Sequence, residues 1–108
     1  MNELSSIEDW EARRPGDSFF VFKHSTTCPI SASARDRVED YFGDAGADVP
    51  EVVMVKVIES RNVSNTIASE LDVMHQSPQL ILVKNGEAAW DTSHHMINAD
   101  SINEALAG

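Results

Sequence analysis

Residues 20–31, Phe20-Val21-Phe22-Lys23-His24-Ser25-Thr26-Thr27-Cys28-Pro29-Ile30-Ser31, pass from an unbroken apolar run to a helix start. The run Phe19-Phe20-Val21-Phe22 is β-prone on both faces, as expected of a strand covered on each side. From Cys28 onward the apolar positions Ile30, Ala34, Val38, Tyr41 and Phe42 keep helical spacing, with Arg35, Asp36, Arg37, Glu39 and Asp40 on the wet side. Pro29 suits the first helical position, where its missing N–H costs nothing. A thiol at this junction faces unpaired N–H groups and the positive end of the helix dipole, and both favour the thiolate. Cys28 is the only cysteine of the chain, so any disulfide it forms involves another molecule.

Outward from this junction the remaining elements follow. A short helix is expected over residues 5–14, capped by Ser5 or Ser6, with Glu8 and Asp9 in its first turn and Arg13-Arg14 ahead of Pro15-Gly16. The Cys28 helix is expected to stop at Gly43. Residues 52–58 form a second continuous strand, and residues 62–71 a second helix with Ile67, Ala68 and Leu71 at helical spacing. A loop over 73–77 leads to Pro78 and a third strand at 79–83. Asn85-Gly86 is a hairpin signal, with residues 88–92 as the returning strand and a closing helix at 99–106.

This α/β alternation with a terminal hairpin predicts one domain over residues 1–108, a four-stranded mixed sheet sandwiched by helices. It is the thioredoxin-like arrangement, and it puts Cys28 at the carboxyl end of a central strand, where open α/β sheets carry their sites. A length of 108 residues suffices for a core without disulfide or metal staples. No apolar run reaches the ~20 residues of a membrane-spanning helix. The start of the chain lacks the pattern of a signal peptide, and one unpaired cysteine suits a reducing cytoplasm. With 18 acidic against 8 basic residues, the net charge of −10 argues against nucleic acid and anionic membranes as partners.

A lone cysteine is more often a small buried hydrophobe than a nucleophile. Its place at a helix N-terminus in this architecture reverses that reading. Ser31 stands where a dithiol enzyme carries its second cysteine. Its hydroxyl cannot close a disulfide, although it can hydrogen-bond a thiolate. Ser77-Pro78 enters the third strand, where a thioredoxin fold places a cis-proline facing the nucleophile, with the backbone of residue 77 open to an extended substrate. His94-His95 fall in the turn before the last helix, at the cysteine end. His94 is either a pocket donor or half of a surface turn pair, and His24 is either a modulator or a structural histidine. A zinc site from His24, Cys28 and His94 has no recognised ligand spacing. The Asp44, Asp48 and Glu51 cluster reads as a solvated loop, and Trp90 as core or edge packing.

Lys23-His24-Ser25-Thr26-Thr27-Cys28-Pro29-Ile30-Ser31, His75-Gln76-Ser77-Pro78-Gln79, Asn85-Gly86 and Trp90-Asp91-Thr92-Ser93-His94 together resemble the monothiol bacilliredoxins. The likeness spans about the whole domain. It implies that Cys28 is the redox cysteine and Pro78 the cis-proline, with Thr27, Pro29, Ser31, Ser77, His24 and His94 around the substrate. It also implies bacillithiol as co-substrate and no resident cofactor. Its partners would be bacillithiol and bacillithiol-capped proteins. Because bacillithiol bears malate carboxylates, Lys23, His24 or His94 could supply a donor. Three other roles fit the same residues: a redox sensor, a thioredoxin-fold binding module with an inert cysteine, and an iron–sulfur carrier. Pro29 fits the carrier poorly, since a small residue there would leave room for a cluster.

Overall fold

The computed structural model describes residues 1–45 and 49–108, and Asp48 of the acidic cluster lies outside the described residues. Strand β1 (Asn2–Glu3) precedes helix α1 (Ile7–Arg13), strand β2 (Phe19–His24) and helix α2 (Pro29–Ala45). Strand β3 (Val52–Lys56), helix α3 (Arg61–Leu71) and the hairpin of β4 (Gln79–Lys84) and β5 (Glu87–Ser93) follow. A 3-10 turn (His94–Met96) then leads into α4 (Ala99–Ala107).

The strands order as β1-β3-β2-β4-β5. β3 runs parallel to both β1 and β2, while β2 with β4 and β4 with β5 are antiparallel. The expected four-stranded sheet therefore gains a fifth strand at its edge. Asn2 and Glu3 pair with Val53 and Met54. Two residues are too short to show a period of two, so nothing in the local pattern announces this strand.

Sequence signals set most element ends. Ser6, in extended conformation, accepts the Asp9 N–H and so caps α1. Asn98 and Ser101 cap α4 reciprocally. Asn85 and Gly86 both adopt positive φ, as the tight hairpin turn requires. Other ends move. α2 runs past Gly43 to Ala45, because a glycine without positive φ weakens a helix by only about 1 kcal/mol. β3 stops at Lys56, so Ile58 lies in the following turn, 48% exposed.

Alternation along the strands divides the core in two. Phe19 and Val21 of β2 meet Trp10 of α1 and Val63, Ile67 and Leu71 of α3 on one face. Phe20 and Phe22 meet Ala34 and Val38 of α2 and Ile102 of α4 on the other. Trp90 packs edge-on against Phe20, ring centres 6.3 Å apart, as half-buried packing of β5. Ile30 departs from its expected core role and stands 57% exposed beside Cys28. Among the described residues no helix is long and apolar enough to cross a membrane.

Candidate active site

The strand register collects the site. Lys23 of β2 lies opposite Gln79 of β4, and Gln79 lies opposite Ser93 of β5. One step further, His24, Pro78 and His94 share the same end of the sheet. The Ser77–Pro78 bond is cis, as expected. Pro78 is buried, and its carbonyl accepts the His94 N–H at 3.0 Å.

Past β2 the chain turns tightly. The Cys28 N–H donates to the Ser25 carbonyl at 3.3 Å. The Cys28 carbonyl accepts the Ala32 N–H at 3.0 Å, the first hydrogen bond of α2. Cys28 therefore occupies the N-cap position. Pro29 brings no N–H, leaving those of Ile30 and Ser31 as the donors a cap side chain addresses. The thiol is partly exposed. Thr27 and Pro29 flank it on the surface. Thr26 Oγ1 donates to Glu59 at 3.0 Å, tying the cysteine loop to the turn after β3.

Ser31 behaves differently from its expected role. It is fully buried, and its Oγ accepts the Ser25 N–H at 2.9 Å and pairs with His24 Nδ1 at 2.7 Å. Among the described residues it makes no hydrogen bond to Cys28. The serine fixes the loop that carries Cys28 rather than touching the sulfur. His24, stacked on Phe22, is held below the ordinary histidine value, first by burial and next by the Arg35 charge. It stays neutral and structural.

Lys23 points to the opposite face. Its Nζ donates to the Ser64 carbonyl of α3 at 3.0 Å and lies 3.3 Å from His75 Nδ1. Burial pushes the Lys23 ammonium down to about 8. Neither Lys23 nor His24 reaches the surface, so of the three suggested donors only His94 is accessible. It is half-buried, with φ of 55°, and Arg37 of α2 donates to its carbonyl at 3.3 Å and to that of Ile97 at 2.6 Å. His95 is exposed. Among the described residues no three His, Cys, Asp or Glu side chains come together as a metal site.

Sequence reasoning missed an apolar collar. Ile30 on α2, Ile58 after β3, Met74 in the loop before β4 and Met96 in the 3-10 turn are 57%, 48%, 80% and 51% exposed. Each belongs to a different segment at the cysteine end of the sheet. The signal was present for Met74, which falls in the expected loop before the third strand where an apolar residue has no core to enter, whereas Ile58 was concealed at the end of the expected strand 52–58.

The family model for "Monothiol bacilliredoxin BrxC" matches residues 1–102. The chain belongs to the monothiol bacilliredoxin family. A solved structure described as a candidate oxidoreductase with a thioredoxin fold is similar at 35% identity and a TM-score of 0.89, covering 97% of this chain and 92% of the other. The thioredoxin of Malassezia sympodialis (16% identity, TM-score 0.78, 99% and 88% covered) shares the fold. So does that of Fasciola hepatica (18%, 0.74, 99% and 97%). Membership of the bacilliredoxins makes this a thiol oxidoreductase, and Cys28 is the one cysteine of the sequence.

Proposed function

We propose that the protein removes bacillithiol from capped proteins. The Cys28 thiolate attacks the bacillithiol sulfur of a protein mixed disulfide. The new sulfur–sulfur bond joins Cys28 to bacillithiol, and the client's sulfur leaves as a thiolate that takes a proton from water. A second small thiol, or a separate reductase system, then attacks the capped Cys28 and returns it to the thiol.

The observation that carries this reading is the N-cap placement of a lone, partly exposed cysteine whose resolving position holds a buried, committed serine. Such a site exchanges one disulfide for another and cannot close its own. The exposed apolar residues support a protein as the donor of the small thiol, since four large side chains exposed at the cysteine end of the sheet suit a polypeptide surface. Bacillithiol itself rests on family membership, and of the three suggested donors for its carboxylates His94 is the accessible one.

The test is intact-mass analysis after mixing reduced protein with bacillithiol-capped and glutathione-capped clients. One bacillithiol adduct on Cys28, matched by loss from the client, is expected, and Cys28→Ser abolishes it. Untouched bacillithiol-capped client, or equal stripping of both clients, would sink the assignment. A predominantly disulfide-linked dimer in excess small thiol would do the same.

A further inference from the structure

The loop over residues 73–77, which enters β4, is fastened from beneath by two side chains of the sheet. Lys23 and Gln79 are cross-strand partners, and strand alternation turns both toward the α3 face, with Val21 and Ile81. Both are at most 1% exposed. Gln79 Nε2 donates to the Met74 carbonyl at 3.1 Å, and Lys23 Nζ reaches His75 Nδ1 while also holding the Ser64 carbonyl. Among the described residues the ion pairs are Arg13–Glu51, Arg14–Glu70, Arg35–Glu39 and Lys56–Glu3, so Lys23 has no carboxylate partner.

A buried ammonium costs several kcal/mol unless hydrogen bonds replace its water. A methionine at this position would fill the space without that cost. The ammonium does one thing a methionine cannot: it gives the loop's imidazole a charged donor, beside the Ser64 hydroxyl that also lies 3.3 Å from His75 Nδ1. His75 is kept below its ordinary value by burial, then by the Lys23 charge, then by Arg61, and because an ammonium can only donate, Nδ1 is the acceptor of the Lys23 contact.

We infer that Lys23 is a positioning residue for protein clients: through His75 it fixes the 73–77 loop, which presents Met74 and the backbone before Pro78 at the cysteine end of the sheet. This rests on the proposed exchange with protein clients. A small disulfide needs only the Cys28 sulfur, whereas a polypeptide must also meet the loop. The loop is therefore a specificity element, set from the far face of the sheet.

The experiment compares wild type, Lys23→Met, His75→Ala and His75→Gln on a bacillithiol-capped protein and on the mixed disulfide of bacillithiol with 2-mercaptoethanol. Lys23→Met and His75→Ala are expected to raise KM for the capped protein by roughly tenfold, the scale of one lost hydrogen bond to a charged group, with kcat close to wild type. Reaction with the small disulfide should stay close to wild type. His75→Gln, which returns an acceptor to the loop, should recover most of the loss. Unchanged KM for the protein, or an equal loss on the small disulfide, overturns the inference. If Lys23→Met does not fold, the two exposed-site His75 variants carry the comparison. Amide hydrogen exchange at residues 74–77 gives a readout without substrate: it should quicken in Lys23→Met and His75→Ala. Unaltered exchange refutes the inference whatever becomes of the bacillithiol assignment, while failure of wild type on both disulfides refutes that assignment alone.

Discussion

Ser31 shows how much one hydroxyl carries when it is both buried and shared. Removing it in Ser31→Ala leaves the Ser25 N–H and His24 Nδ1 without their partner inside the protein. The expected loss of stability is about 1–3 kcal/mol, the cost of leaving a buried polar group unsatisfied, read as a lower urea midpoint. Ser31→Cys should show two effects together. The thiol is a weaker hydrogen-bonding group, so stability falls, yet a second sulfur in the resolving position lets less of the capped intermediate accumulate in intact-mass spectra. His24 was readable in the sequence only as an open choice between modulator and structural residue. Its partner is seven residues away on another element, and no local pattern encodes that contact.

At the scale of elements, strands and helices were legible wherever an apolar period ran long enough. β2, β3 and α3 each carry four or more buried residues in a run or at helical spacing. Glycine alone was a poor stop signal for α2, and two-residue β1 exists only because the edge of β3 is open to it. The apolar collar escaped because its members come from four separate segments that only the folded sheet brings to one end. The end of β2 and the loop before β4 also share an acid weakness. His24 and His75 both sit below the ordinary value of 6.5, chiefly through burial. As pH falls through that value, the unfolded chain binds protons that the native one resists, so stability drops. Urea midpoints between pH 7.5 and 5.5 should decline in wild type and decline less in His24→Gln.

Across the whole molecule, two cores back a single sheet, and each should be intolerant of truncation. Ile67→Ala on the α3 side and Phe20→Ala on the α2 side each empty a fully buried site. Losses of about 2–5 kcal/mol are expected for both, measured by chemical denaturation. Lys23 adds an opposite pH trend at the alkaline end. An unfolded lysine keeps its proton up to 10.5, whereas the buried one releases it near 8, so rising pH across that interval favours the native state. Wild type should gain stability relative to Lys23→Met between pH 8 and pH 9.5. Lys23 and His24 are neighbours in one strand, yet they hook loops on opposite sides of the sheet, His75 on one and Ser25-Ser31 on the other. Since a shift of one residue turns every side chain of a strand over, deleting a single position in 19–22 would unseat both hooks. The imidazole would then take the place of Lys23 on the Ser64 side, and the ammonium would enter the α2 core at the place of Phe22. The Cys28 loop and the loop before β4 answer to the same dipeptide, and they slip together or not at all.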